Sequence, residues 1–331
     1  MPYDKRRQKL IIEPVDANQK NLTDIFIIPQ IDTLFRSATS LREAIDHLIC
    51  PLKPFNKTDA TGYFISDEFL QNLVKQRIKL VAPAYLNKYP IGWCHEITSI
   101  VVAYLLEIGE AIRDKFFPGL SRFLNSGGVF KRIWGEVRQE FFQNAIQIGG
   151  VYLDVSNDTV DIRKPKTERM WLNNSEFSSF ESFHCYAGIL QRYHKKEIFI
   201  NNCLPELAPL CPFWTRVENG PLCLDYSFYM AGLAEDTDYR ASEDIFETRP
   251  AFINDLTIEL LSSIESITLG IRGDAKTIKY FRFNIMDDNA RRNLFKTYRD
   301  MPKEHRCHYI DHAHHFVKLI NHQLKLLYRN P

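Results

Sequence analysis

The residue whose surroundings most resemble a reaction centre is Cys94, in the stretch "KYPIGWCHEITSIVVAYL" at 88–105. A thiol attacks a carbonyl carbon only as thiolate, and at an ordinary pKa of about 8.5 only a few per cent is ionised at neutral pH. A helix N-terminus raises that fraction, because its unpaired N–H groups and dipole favour negative charge. Pro90 and Gly92 end the preceding segment, and apolar residues at Ile97, Ile100, Val101, Tyr104, Leu105 and Ile108 then follow a helical period. The sulfur therefore stands where a helix begins. The competing reading is that Cys94 is a small apolar residue opening a core helix, since free cysteine is among the most buried residue types.

Downstream lie "RIWGEV" at 132–137 and "VYLDVSND" at 151–158. The order of these parts resembles the transglutaminase-like (papain-like) cysteine enzymes over about residues 88–158. There Gly-x-Cys opens a helix with a small residue four positions on, as Gly92, Cys94 and Thr98 do. Trp134, Glu136 and Val137 match the strand that follows, and Tyr152, Leu153 and Asp154 match the end of the next. The resemblance implies an α+β fold and cysteine-dependent acyl transfer or amide hydrolysis on a protein or peptide. Cys94 would be the nucleophile and Asp154 the orienter. The family's catalytic histidine falls at Arg132, which stays protonated and moves no proton. Three explanations stand open. The base comes from elsewhere, from His184 in "SFESFHCYAGI" or from His95. The thiolate is held by the charge of Arg132 and needs little proton shuttling. Or catalysis has been lost, and the fold binds a protein or peptide in the same cleft.

A second set of chemistry-bearing residues is the stripe His305, His308, His312, His315 and His322 in "HRCHYIDHAHHFVKLINHQLKLL". Spacings of 3, 4, 3 and 7 put all five along one side of a helix. His308 and His312 have the i, i+4 spacing of shared metal ligands, with His315 as a third donor, although H-E-x-x-H is absent. Histidines edging an apolar seam are the commoner arrangement, so no cofactor is expected. G-x-x-x-x-G-K-[ST], G-x-G-x-x-G and G-x-S-x-G are all missing, which removes support for nucleotide binding and for a nucleophile-elbow esterase.

These residues need elements to position them. Hydrophobic residues make up 45% and charged residues 25% of the 331, a globular composition. The net charge of +1 gives no global attraction to nucleic acid or anionic membranes. The most apolar run, "ITSIVVAYLLEIGEAI", is broken by glutamates short of a span. The opening segment has no apolar h-region, and the seven cysteines include no C-x-x-C, so a cytoplasmic location with reduced thiols is expected. Export without a classical signal would leave no trace. The pattern predicts a β-like run "DIFIIPQI", helices at "SLREAIDHLI" and "SDEFLQNLVKQRIKLVAPAYL", the Cys94 helix, then strands over 129–158. It also predicts helices at "FINDLTIELLSSIESI" and the C-terminus, with the apolar stretch 195–233 readable as helix or strand. The expected organisation is an N-terminal extension at 1–60, a transglutaminase-like core at 61–160 and a helix-rich region at 161–331.

Overall fold

The computed structural model describes residues 11–51, 55, 57–81, 83–271, 281, 283–285 and 287–329. The chain divides into two compact units, Lys9–Ser179 and a second that runs from Phe180. Helices and strands mix in both, an α+β architecture.

In the first unit, α1 (Ala17–Leu22), α2 (Ile31–Ile49), α3 (Asp59–Ser66), α4 (Glu68–Lys79), α5 (Pro83–Leu86), α6 (Cys94–Glu107), α7 (Glu110–Phe116) and α8 (Leu120–Asn125) precede the strands. β1 (Phe130–Val137), β2 (Phe141–Ile148), β3 (Val151–Asp154), β4 (Glu168–Trp171) and β5 (Phe177–Ser178) form a sheet ordered β4-β3-β2-β1-β5. Every pairing in it is antiparallel. The strands β4 and β5 complete both edges, so this unit extends past the composition change near 160. Of the expected N-terminal extension, the described residues contribute α1 and α2 to the same core rather than standing apart.

Period explains the elements. The helix α6 buries Ile97, Ile100, Val101, Tyr104 and Leu105, each at most 2% exposed, and packs against β2. Asp67 caps α4 by accepting from the Leu70 N–H at 2.9 Å, which satisfies one of the unpaired donors of the first turn. Alternation gives the sheet two apolar faces. Ile146, Ile148, Val151 and Leu153 join the helices in one core. Ile133, Ala145, Tyr152 and Phe177 form another, covered by Ile12 and Val15. The turn from β2 to β3 uses Gly149 at φ +54°, where a Cβ would come within 2.1 Å of Thr23 Oγ1.

The expected strand "DIFIIPQI" is helical. Thr23–Ile27 is a π-turn and Ile28–Gln30 a 3₁₀ turn that runs directly into α2. Thr23 and Ile27 are buried four residues apart while Ile25 is 53% exposed, so burial follows the helical period and not alternation.

In the second unit, α9 (Phe183–Arg192), β6 (Lys196–Ile200), β7 (Phe213–Val217), β8 (Cys223–Leu224), α10 (Phe228–Asp236), α11 (Arg240–Glu247), β9 (Ile253–Asn254), α12 (Ile258–Ile271), α13 (Asp288–Asp300) and α14 (Lys303–Arg329) follow in order. The ambiguous apolar stretch resolves into β6, a 3₁₀ turn at Pro205–Leu207, β7, β8 and the start of α10, and the sheet runs β8-β7-β6-β9 with only the β6–β9 pair parallel. Trp214 is fully buried, and its indole N–H donates to Asn201 Oδ1 at 3.1 Å.

Candidate functional site

The entry to α6 is fastened from several sides. Gly92 sits at φ +80°, and its N–H donates to the Thr159 carbonyl at 2.9 Å. Its own carbonyl accepts from the Tyr85 hydroxyl at 2.8 Å. A side chain at 92 would meet that hydroxyl at 2.9 Å in a left-handed backbone conformation, which makes glycine the residue that fits. Trp93, the N-cap residue, is fully buried and donates through Nε1 to the Tyr85 carbonyl at 3.2 Å.

Cys94 follows as the first residue of α6 and is half-buried. Its sulfur accepts from Asn144 Nδ2 at 3.4 Å. The Asn144 carbonyl in turn accepts from Thr98 Oγ1 at 3.1 Å and Ser156 Oγ at 3.2 Å, and those two hydroxyls lie 3.2 Å apart. The side chain at the thiol is thus an amide, and two hydroxyls stand at the carbonyl of the same residue. Asn144 Oδ1 is buried without a hydrogen-bond partner. Turning the amide over would let the thiol proton point at that oxygen; either way the partner is a neutral amide. Burial pushes the Cys94 thiol above its ordinary pKa, offset in part by Asn144 and reinforced by Asp154 and Glu96.

Asp154 is 1% exposed. It accepts from the Ser156 N–H at 2.7 Å, the Ser156 hydroxyl at 3.1 Å, the Tyr152 hydroxyl at 3.4 Å and Gln143 Nε2. Burial raises its pKa to about 6 despite those bonds. Its oxygens are engaged by these donors, and Ser156 carries the connection from it to Asn144. Compared with known proteins, the chain matches no family model, no curated protein and no solved structure. The site is therefore read from its geometry.

Arg132 reaches α6 one residue past the cysteine. Its Nη1 lies 2.9 Å from His95 Nδ1 and also donates to Ser99 Oγ. Burial, then Arg132 and Arg77, lowers His95 to about 3, so its imidazole is neutral at pH 7 and a poor proton acceptor. His184 belongs to the second unit, at the start of α9. Its Nε2 lies 3.0 Å from Thr248 Oγ1, and its Nδ1 lies 3.4 Å from Asp244. His308, His312 and His315 stand on α14, and among the described residues no three His, Cys, Asp or Glu side chains converge as metal ligands. No helix among the described residues is long and apolar enough to cross a membrane.

The residue that sequence reasoning passed over is Asn144. Its signal was present in "NAIQI": on β2 it shares a face with Ile146 and Ile148, both fully buried against the helices. A polar side chain on an otherwise apolar, helix-facing row needs a partner there. Its partner is the thiol.

Proposed function

We propose that the first unit is a catalytically silent, transglutaminase-like binding module, which holds a protein or peptide segment at the entry to α6 without turning it over. One observation carries this reading: the side chain in contact with Cys94 Sγ is the Asn144 amide. Cysteine acyl transfer needs a group that takes the thiol proton and later returns one to the leaving amine, and an amide does neither at neutral pH. The raised thiol pKa works in the same direction by reducing the already small thiolate fraction. Arg132, tied to His95 and Ser99, supplies charge beside the entry to α6 and not proton transfer.

The test compares the pH dependence of iodoacetamide labelling at Cys94 in the wild type, Cys94→Ser and Asn144→His. The wild type should label with an apparent pKa above about 8.5. Asn144→His should lower that pKa and speed labelling at pH 7, because an imidazole beside a thiol stabilises thiolate as an ion pair. A wild-type thiol that labels fast at neutral pH, together with thioester or amide turnover lost in Cys94→Ser, would instead establish the cysteine enzyme. The binding half is tested by selecting displayed peptides on the wild type and counter-selecting on Cys94→Trp, which fills the cleft. Peptides retained only by the wild type support the module, and none recovered overturns it.

A further inference from the structure

The histidine-rich helix contributes to a pocket that the Cys94 site does not use. Along α14, His314, Lys318, Asn321, His322 and Lys325 recur at spacings of 4, 3, 1 and 3, which stacks them on one stripe. Together with Val317, and with Leu224 and Tyr226 at and just after β8, they line a depression of about 440 Å³. That volume falls within the range of small-molecule sites. The stripe is fixed to the sheet by Asn321, whose Oδ1 accepts from the Leu224 N–H at 2.7 Å while its Nδ2 donates to the Leu224 carbonyl at 2.9 Å. The pocket is thus built on a helix pinned to a strand, and not on a loop.

Its charge is one-sided. Two lysines and two histidines line it, and no carboxylate does. Among the described residues no ion pair engages Lys318, Lys325 or His322. Asp225, between the lining residues Leu224 and Tyr226, is engaged by the Tyr186 hydroxyl at 2.7 Å and Lys196 at 3.5 Å. The whole chain carries a net charge of only +1, so the two lysines are a local feature and not a share of a general excess. An anion seated between Lys318 and Lys325 accepts charge-assisted hydrogen bonds from both. The ring of Tyr226, 5.2 Å from that of His314, adds an aromatic wall.

The geometry points to a phosphate-monoester site between α14 and β8, with Lys318 and Lys325 closing on the phosphate and Tyr226 walling its organic part. A dianion suits two lysines on long stems better than a singly charged carboxylate does. Lys318 and Lys325 are seven residues apart, about 10 Å along the helix, a gap their side chains can close over one phosphate.

The probe is phenyl phosphate, titrated calorimetrically into the full chain at fixed ionic strength, with inorganic phosphate and vesicles containing phosphatidic acid as parallel arms. Saturable binding of phenyl phosphate, weakened about a hundredfold in Lys318→Gln/Lys325→Gln, is the expected result. Both lysines are exposed, so the double variant should keep its circular-dichroism spectrum and melting point. Binding to vesicles alone, lost in the double variant, would assign the same phosphate chemistry to a lipid headgroup. Binding of equal strength in the wild type and the double variant, or no saturable binding in any arm, would overturn the site.

Discussion

Two buried polar clusters in the first unit use opposite means. Around Arg42, fully buried on α2, the contacts are mainly ion pairs. The guanidinium meets Asp158 at 2.7 Å and Asp46 at 3.0 Å, and Lys166 adds a contact to Asp46 at 2.7 Å. Burial works against the charge on Arg42, but Tyr89, Asp46 and Asp158 outweigh it and hold the pKa above its ordinary value. At Cys94 the hydrogen-bond partner is neutral, an amide whose own carbonyl carries two hydroxyls, and the thiol is raised by burial. The clusters are joined through backbone. Tyr89 donates to Asp46 at one end of the loop before α6, and Gly92 donates to Thr159, next to Asp158, at the other. The charge in this part of the fold therefore fixes where the thiol sits, and none of it ionises the thiol. A reactive centre would have the reverse distribution.

The largest effect should come from breaking the charged cluster. Arg42→Met leaves Asp158 buried without its cation and Asp46 with Lys166 alone, and removing one partner of such a pair costs about 3–5 kcal/mol. Urea unfolding should show that loss, and iodoacetamide labelling of Cys94 should accelerate as the loop from 89 to 93 loosens. Replacing both carboxylates as well, with Asp46→Asn and Asp158→Asn, should recover part of the stability. If Arg42→Met left stability and labelling unchanged, the proposed division of labour between the clusters would be wrong.

Legibility in the sequence follows the same contrast. The α6 helix was readable because its buried residues keep a strict helical period, and β1 to β3 because their residues alternate about a glycine turn. The placement of Cys94 at the helix start was readable for the same reason. Arg42 was hidden, since nothing in "SLREAIDHLI" separates a buried arginine from a solvated one until Asp158, 116 residues away, is brought to it. Asn144 was hidden because an amide in a strand carries no charge or motif to draw attention. His184 drew attention because histidine is the usual base, but it pairs with Asp244 and Thr248, on or just past α11. The run at 24–31 defeated the pattern because eight apolar-rich residues with a proline are too few to separate alternation from a helical turn.

The next effect separates two titrations near the thiol. Asp154 has a folded pKa raised to about 6 from 3.8, so its contribution is full below the unfolded value and is lost as pH rises from about 4 through 6. The shift corresponds to at most about 3 kcal/mol. His95 has a folded pKa lowered to about 3 from 6.5, so its contribution is present above the unfolded value and is lost as pH falls from about 6.5 toward 3. In the wild type the two oppose each other between pH 4 and 6. Unfolding free energies measured across that window should fall more steeply on acidification in Asp154→Asn than in the wild type, and less steeply in His95→Gln. Three parallel curves would mean that neither group is buried as described.

The smallest effect tests whether the neutral cluster is one network or a set of separate contacts. Ser156 is the residue that touches both Asp154 and the carbonyl of Asn144. In Ser156→Ala the Asn144 carbonyl keeps Thr98 Oγ1 as donor, and Asp154 keeps Gln143, Tyr152 and the backbone N–H of residue 156. No buried group is left wholly without a partner, so the loss should be only about 0.5–1.5 kcal/mol. The side-chain bond from Ser156 is one of the interactions holding the Asp154 pKa down, so its removal should raise that pKa further. Carboxyl-carbon NMR of Asp154 reads that shift directly, while the labelling rate of Cys94 reports whether it reaches the thiol. A raised Asp154 pKa with unchanged labelling would mean that the carboxyl orients the strand end and not the sulfur. A change in both would mean that Ser156 couples them, and that Asn144→His would inherit a wired orienter together with its new base.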